Sequence, residues 1–430
     1  MEEREKMIAA QILVIVLLNC CFIGLQAEPQ LLLSSVVFRH GDRSPIVTYP
    51  KDQYHESDWP QGFGQLSIAG MQQEEQLGGL LRARYVTDTY PNFLHPNYTR
   101  VQVNVRSTDM DRTLMSASAM LSALYPPDNS QRFNDSIAWQ PIPIHTMAKE
   151  NDHMLRGHRN CPAYSKLKDA DKTTVEYQRI VAENEGFFVT LQGHTGLEAV
   201  NMSNIRSIKD SVFAENVTEG KQSPSWATTE IMTKLAELTD YIMGLFFNSK
   251  EKNRLTAGVW LGKLLGDMQS VANKSDTTSK LFLYSAHDTT VTCMLSALGV
   301  FNGKQPPYAT AFVVELYFDP SIELYQIQLS LRLGPDGVNF TLLELPESSH
   351  CADRHYCTLE EFKTFVTPLI PSDIEQECSV SSPSQSSGSL GTAFGLVVAA
   401  LVIVIVLLII AMVIMRKRSK KYNYDQFNRA

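Results

Sequence analysis

Three short segments place histidine, arginine and aspartate side chains where they could act on a phosphoryl group. The first is RHGDRSP at residues 39–45, which sets one imidazole between two guanidinium groups and adds a glycine for a tight turn. Guanidinium groups match phosphate oxygens in a bidentate way. Taken alone, this segment is equally well explained as a charged surface loop with an incidental histidine.

The other two segments strengthen the case for a site. VRSTD at residues 105–109 supplies Arg106, and HDTT begins with His287 and Asp288. Each of the three segments follows a predicted strand, and ligands of open α/β sheets bind at the carboxyl ends of strands. Three strand ends carrying cationic or acid–base groups are hard to explain as packing, although Asp288 could also cap a helix.

The elements that must position these segments alternate between short apolar runs and runs of helical periodicity. The predicted strands are Leu31–Phe38, Val101–Val105, Lys280–Ala286, Ala311–Tyr317 and Leu324–Leu331. The predicted helices are Ser67–Tyr85, with Ser67 as N-cap, one from Asp111 to the Pro126-Pro127 stop, Thr229–Phe247, and one through Leu295 and Leu298. This order predicts an α/β sandwich with a central mixed sheet flanked by helices, plus a smaller helical insertion over about 147–250.

Composition excludes several classes of protein. The 430 residues are 44% hydrophobic and 20% charged, which excludes collagen-like, coiled-coil and wholly disordered chains. The net charge of −8 argues against a nucleic-acid partner. The charge is uneven, because residues 416–430 hold six Lys/Arg and one Asp, a net +5 that leaves −13 on residues 1–415.

The two ends of the chain predict a single-pass type I membrane protein. Residues 393–415 are 23 uncharged residues followed at once by a basic cluster, which predicts a transmembrane helix with a cytosolic tail at 416–430. A buried core helix is the alternative for this run. The Ser-rich stretch 379–392 predicts a flexible stalk.

The N-terminal end predicts a signal peptide over residues 1–27, although its acidic start leaves an uncleaved anchor as an alternative. The body at 28–378 is then lumenal or extracellular. Six Asn-x-Ser/Thr triplets in the body agree with that side of the membrane: Asn97, Asn134, Asn201, Asn216, Asn273 and Asn339.

Taken together, RHGDRSP, VRSTDMDRT and SAHDTT resemble the histidine acid phosphatases, and most closely their lysosomal and prostatic members. The similarity extends from about Leu31 to Cys378 and includes stretches with no catalytic logic of their own, such as WPQGFGQL from Trp59 and WQPIPIH from Trp139. RHG alone is a weak signal, but the three motifs in this order and spacing are specific.

The resemblance implies a mechanism. His40 attacks phosphorus to give a phosphohistidine, and Asp288 donates a proton to the leaving alkoxide. The phosphate oxygens are then held by Arg39, Arg43, Arg106 and His287. Small phosphomonoesters are the implied substrates, with no metal and no cofactor. An acid optimum is expected because Asp288 must be protonated. The ordinary pKa of aspartate is about 3.9, and the negative charge of the phosphate in the site could raise it.

The resemblance also implies the disulfides Cys161–Cys378 and Cys351–Cys357, the second with a longer spacing than in relatives. A third family disulfide is missing, since its expected positions hold Ala214 and Ala311. Cys293 is then the unpaired lumenal cysteine, expected to be an inert core thiol.

The lysosomal membrane is the expected location, with the catalytic domain in the lumen, and the plasma membrane is the alternative. Tyr424–Phe427 fits a tyrosine-based endocytic adaptor signal, and the family resemblance allows a homodimer. Two other functions remain open: a catalytically silent adhesion or receptor ectodomain on the same fold, and a phytase-like or phosphotransfer relative.

Overall fold

The computed structural model describes residues 28–218, 220–274, 279–351, 353, 355–379 and 403–418. The described residues up to Ser379 form one compact unit, and the 403–418 helix belongs to a separate one. Several predicted segments lie outside the described residues: the signal peptide at 1–27, the stalk beyond Ser379, the first part of the membrane segment (393–402), and the tail beyond 418 with Tyr424 and Phe427.

A mixed sheet organises the larger unit, and the predicted α/β fold is confirmed. Its strands are β1 Gln30–Arg39, β2 Val103–Ser107, β3 Leu281–Ala286, β4 Ala311–Asp319, β5 Leu324–Arg332, β6 Thr341–Leu342 and β7 Cys357–Thr358. Their order is β2-β3-β1-β4-β5-β6, with β7 also paired to β5. The strands β2, β3 and β1 are parallel, whereas β4 and β5 are antiparallel to their neighbours.

The helices cover the two faces of this sheet and build the insertion. They are α1 Ile68–Arg82, α2 Asp111–Leu124, α3 His153–Arg156, α4 Pro162–Asp171, α5 Val175–Glu183, α6 Glu185–Thr195, α7 Ile205–Val217, α8 Thr229–Phe246, α9 Lys250–Ala272, α10 Asp288–Ala297, α11 Leu359–Val366 and α12 Ile374–Cys378. As predicted, Ser67 caps α1, and its hydroxyl oxygen accepts from the Gly70 amide at 2.9 Å.

Strand β1 shows why the central strands are continuous apolar runs. Successive side chains of a strand point to opposite faces of the sheet. Val36 and Phe38 pack in the core that includes α1 and α2, whereas Leu33 and Val37 pack in the core that includes α9 and α10. Both faces of β1 are therefore buried under helices, as expected for the parallel part of a sheet.

The parallel register brings the predicted chemical segments to one edge. Arg39 at the end of β1 pairs with Ala286 at the end of β3, and Ser107 at the end of β2 pairs with Ser285. The amide of His40 donates to the Ala286 carbonyl at 3.0 Å. His40 and His287 therefore leave neighbouring strands at the same place.

The described residues of the predicted insertion are largely helical, and several of these helices share an apolar core. Helices α6, α7 and α8 contribute Leu191, Ile205, Leu235 and Leu238 to it. The disulfide Cys161–Cys378 joins the start of α4 to the end of α12, and Cys351–Cys357 closes a short loop. Both pairs are the ones that the family resemblance implied, and Cys293 is buried and unpaired.

Helix α9 is absent from the predicted elements, and its surroundings explain why. It packs against α3, α10, α11 and α12, and side chains on most of its circumference are buried, including Leu255, Trp260 and Leu264. A helix buried on most sides loses the amphipathic period on which sequence-based prediction depends.

None of the helices among the described residues has both the length and the apolar character that crossing a bilayer requires. The helix at 403–418 overlaps the second half of the predicted membrane segment 393–415.

Candidate active site

A cavity of about 360 Å³ opens where the parallel strands end. Its described lining contains five arginines and three histidines against two aspartates, so positive charge is in excess. The lining residues are His40, Arg43, Ile46, Val47, Met110, Arg112, Arg156, His158, Arg159, Arg206, Ser207, Asp210, His287, Asp288 and Thr289. Such a cavity suits an anionic ligand.

Close packing against α1 and α2 fixes the loop that follows β1. A Cβ atom on Gly41 would lie 2.2 Å from the Gly70 carbonyl oxygen, so only glycine fits there. The Gly41 amide donates to Ser116 Oγ at 3.2 Å, and Ser67 Oγ donates to the Asp42 carboxylate at 2.6 Å. The backbone around His40 is thus held by two helices.

The imidazole of His40 is buried and has a defined tautomer. Its Nδ1 lies 2.8 Å from the Gly41 carbonyl oxygen, which can only accept, so Nδ1 carries the proton and Nε2 keeps its lone pair. Burial, followed by the charges of Arg112 and Arg43, lowers the pKa of His40 well below its ordinary value. His40 therefore stays neutral and nucleophilic at acid pH.

Two arginines beside His40 are held in place by groups that the sequence did not reveal. Arg43 donates to both carboxylate oxygens of Asp210, at 2.8 and 3.0 Å. The guanidinium of Arg39 lies 4.0 Å from the centre of the Tyr308 ring and donates to the Pro306 carbonyl at 2.5 Å. These contacts pre-organise both cations, which lowers the entropic cost of binding a phosphate.

Asp288 occupies the first position of α10, next to the cap residue His287. One carboxylate oxygen accepts from Arg206 at 2.6 Å and from Gln305 at 2.7 Å, and Arg39 lies 3.9 Å from the same oxygen. Burial raises the pKa of Asp288, but the charges of Arg206 and Arg39 outweigh it and hold the pKa well below its ordinary value. In the free protein Asp288 is therefore a carboxylate.

His287 faces His40 across the site, with ring centres 5.6 Å apart. Its Nε2 lies 3.0 Å from the hydroxyl oxygen of Thr108. Burial and the charge of Arg112 lower its pKa well below the ordinary value, so the ring is neutral at acid pH. His287 can give a hydrogen bond to an oxyanion, but it adds no positive charge to the site.

The comparisons with known proteins agree with this arrangement. The profile of the histidine phosphatase superfamily (branch 2) matches residues 31–332. The chain belongs to that superfamily. Human lysosomal acid phosphatase is 40% identical over 352 residues, which cover 81% of this chain and 80% of that protein. Bovine prostatic acid phosphatase is 40% identical over 365 residues, which cover 83% of this chain and 89% of that protein.

Solved structures show the same histidine phosphatase fold. The phytase from Citrobacter braakii superposes with a TM-score of 0.61 at 16% sequence identity, covering 82% of this chain and all of that one. At such low identity the likeness establishes the fold alone. The predicted function, an acid phosphatase of the histidine phosphatase superfamily, is confirmed by the two groups of relatives at about 40% identity.

The described lining of the cavity lacks two arginines of the predicted phosphate-binding set, Arg39 and Arg106, but Arg39 still lies 3.9 Å from the Asp288 carboxylate that lines it. Among the described residues that line the cavity Arg106 does not occur; its guanidinium donates to Asp152 at 2.5 Å and lies 3.6 Å from the Met154 sulfur. Strand β2 continues to Ser107, so Arg106 lies within the strand opposite Tyr284 and not beyond its end. The cavity receives Arg112 instead, from the first turn of α2.

The other charged and titratable residues of the lining were missed entirely. Arg206 and Asp210 come from α7 in the insertion, and Arg156, His158 and Arg159 come from α3 and the turn after it. Arg112 had a usable signal, because it is the second arginine of VRSTDMDRT. For the insertion residues the sequence offered only charged helical segments.

We expect Arg112→Ala and Arg106→Ala to have separable effects. Arg112→Ala removes a phosphate-facing cation and is expected to lower kcat/KM for p-nitrophenyl phosphate by about 10²- to 10³-fold with little change in melting temperature. Arg106→Ala leaves the buried Asp152 carboxylate without its cation and should destabilise the fold by about 3–5 kcal/mol. Steady-state kinetics and thermal melts measure both. Loss of activity in a normally stable Arg106→Ala protein would contradict this assignment.

Proposed function

We propose that this phosphatase hydrolyses monoesters in two displacements, with His40 carrying the phosphoryl group between them. The observation that supports this is the buried, neutral imidazole of His40. Its Nδ1 donates a hydrogen bond to the Gly41 carbonyl and its Nε2 is unprotonated, in a cavity rich in guanidinium groups. A nucleophile of this kind divides one difficult displacement into two easier ones.

The phosphoryl group is held by Arg39, Arg43, Arg112 and His287. In a loose transition state, negative charge spreads over the three equatorial oxygens, and cations fixed beforehand stabilise it without reorganising. Arg39 and Arg43 are fixed by Tyr308 and Asp210. Arg112 replaces Arg106 in this set.

Asp288 donates a proton in the first displacement and accepts one in the second. As His40 Nε2 bonds to phosphorus, the phosphorus–oxygen bond of the ester breaks and the leaving oxygen takes a proton from Asp288. In the second step water attacks phosphorus and gives a proton to the Asp288 carboxylate, and the phosphorus–nitrogen bond breaks. Because the free carboxylate is held ionised by Arg206 and Arg39, Asp288 gains its proton only once a phosphate offsets their charge.

A shared intermediate can be tested by partitioning. With methanol present, the ratio of methyl phosphate to inorganic phosphate should be the same for p-nitrophenyl phosphate and phenyl phosphate, because both esters form the same phosphohistidine. His40→Ala should lower kcat by at least about 10³-fold, with EDTA present throughout. Partition ratios that depend on the leaving group would contradict the covalent step.

The same assay addresses the silent-ectodomain alternative. If the wild-type chain melts cooperatively but has no activity above that of His40→Ala across about pH 3 to 8, the enzyme proposal fails. The fold would then serve as a binding module.

Asp288→Asn tests the proton donor, because asparagine keeps the shape and cannot supply a proton. Hydrolysis of butyl phosphate should fall by about 10²- to 10⁴-fold, since butoxide needs protonation to leave. Hydrolysis of p-nitrophenyl phosphate should fall much less, since p-nitrophenolate is a stable anion. Steady-state kcat values for the two esters measure this difference. Equal losses for both would assign Asp288 a structural role.

We also propose that the phosphatase is anchored by residues 393–415 with its body in the lumen of the lysosome. Support comes from the uncharged run followed by a basic cluster, from the lysosomal relatives and from the sequons. Five sequon asparagines are exposed: Asn134, Asn201, Asn216, Asn273 and Asn339. Asn97 is half-buried, and its amide donates to Asp128 at 2.6 Å.

Truncation after Ser379 tests the anchor. The full chain should remain in the membrane pellet after alkaline carbonate extraction, whereas the truncated chain should appear in the culture medium as active phosphatase. Release of the full chain by carbonate would contradict the anchor, and a Tyr424→Ala chain with unchanged surface levels would remove the case for an endocytic adaptor.

A further inference from the structure

A second group of cations lies in the cavity, on an element separate from the nucleophile loop. Arg156 ends α3, and His158 and Arg159 follow it in the adjoining turn. All three line the same cavity as His40. Arg156 and His158 are partly buried, whereas Arg159 is exposed.

Among the described residues Arg156 and Arg159 have no anionic partner, in contrast to Arg43 and Arg206. Arg112 also lacks an ion pair, but it donates to the Gly64 carbonyl at 3.4 Å. Arg43 is paired with Asp210, and Arg206 is paired with Asp288. Over the described part of the chain, neither Arg156 nor Arg159 forms a hydrogen bond or ion pair through its side chain, and Arg156 Nη1 is buried without a partner. Burying an unpaired guanidinium group costs free energy that a bound anion would recover.

The lowered pKa of the neighbouring His158 reflects its burial and the positive charge of the two arginines. Burial, then the charges of Arg159 and Arg156, lower the pKa of His158 to about 3. At the pH of an acid compartment His158 is therefore a neutral hydrogen-bonding group beside two cations. A phosphate or carboxylate placed here would meet two guanidinium groups and one imidazole.

The scissile phosphate does not need these side chains. It presents three equatorial oxygens, and Arg39, Arg43, Arg112 and His287 already supply more donors than those oxygens require. Arg156 and Arg159 are thus available to a different part of the substrate. The cavity of about 360 Å³ can hold a small organic ester with a further charged group.

We propose that Arg156, His158 and Arg159 form a second anion subsite, and that the preferred substrates are phosphomonoesters with an additional phosphate or carboxylate. This inference rests on the proposed function, because it places the reacting phosphate at His40. The inference adds a preferred class of substrate to the proposed function.

Matched esters test the subsite in the full chain. Butyl phosphate and the bisphosphates of butane-1,4-diol and hexane-1,6-diol share a primary alkoxide leaving group and differ in the distant phosphate. We expect kcat/KM for the better bisphosphate, divided by two for its equivalent phosphates, to exceed that for butyl phosphate by about tenfold or more, mainly through KM. Tenfold corresponds to about 1.4 kcal/mol, within reach of one charge-assisted hydrogen bond.

Variants then assign the preference to the named residues. In Arg156→Gln/Arg159→Gln the ratio should fall close to one, and Arg156→Lys/Arg159→Lys should keep part of it because the charge remains. Arg100→Gln, an exposed arginine outside the described cavity lining, is the matched control and should keep the full ratio. Using a ratio removes any common effect of the variants on the reacting phosphate.

The outcomes separate the two proposals. If the wild-type chain hydrolyses butyl phosphate and both bisphosphates equally well, the subsite is overturned and the phosphatase proposal stands. An unchanged preference in the double glutamine variant would also overturn it. A folded chain that hydrolyses none of these esters would overturn the phosphohistidine proposal and the subsite together.

Discussion

The concentration of positive charge around one buried imidazole is the constraint on which the rest of the site depends. Burial and the nearby guanidinium groups lower the pKa of His40, so that it remains a nucleophile at a pH where an ordinary histidine is protonated. The same guanidinium groups repel one another, and each must be fixed. Asp210 holds Arg43, and Asp288 holds Arg206, so the two aspartates of the cavity offset part of the repulsion before any substrate binds. The remaining positive charge is what a phosphate finds on entry.

The sheet supplies the precision that this arrangement requires. Parallel pairing of β1 with β3 sets His40 and His287 on neighbouring strand ends, and the hydrogen bond from the His40 amide to Ala286 fixes their relative height. The close approach of Gly41 to Gly70 then seats the nucleophile loop on α1. A site built on strand ends and helix starts is more rigid than one built on long loops, and this matters because misplacing a reacting atom by about 1 Å costs about 10²-fold in rate. Helices α7 and α3 of the insertion complete the cavity. Arg206 on α7 is paired with Asp288, whereas Arg156 on α3 has no anionic partner among the described residues.

How much of the fold and of the site could be predicted from the sequence depends on how local the sequence pattern is for each element or residue. The strands β1 to β5 and the helices α1, α2, α8 and α10 have signals within one motif or one period. So do five site residues that the structure brings together: His40, Arg39, Arg43, His287 and Asp288. Arg106 was misplaced because the predicted strand ended at Val105, whereas β2 continues through it to Ser107. Because of this difference of two residues at the strand end, Arg106 was assigned to the phosphate site, whereas the structure places Arg112 in the cavity. Arg206 could not be predicted, because its position depends on how the insertion packs against a strand end far away in sequence.

The structure also changes the explanation of acid activity. From the sequence, the acid optimum is explained by the need to protonate Asp288, starting from the ordinary pKa of aspartate and allowing the bound phosphate to raise it. In the free protein, however, Arg206 and Arg39 hold that pKa well below its ordinary value, so the side chain of Asp288 is a carboxylate before substrate binds. Protonation of free Asp288 therefore cannot set the fall in kcat/KM at higher pH. The phosphate ester can, because its second pKa is about 6 and below that pH it arrives carrying a proton. A substrate that brings its own proton and offsets the charge of Arg206 and Arg39 would restore Asp288 as a proton donor in the complex. On this view the acid optimum belongs to the enzyme–substrate complex, and neither partner alone accounts for it.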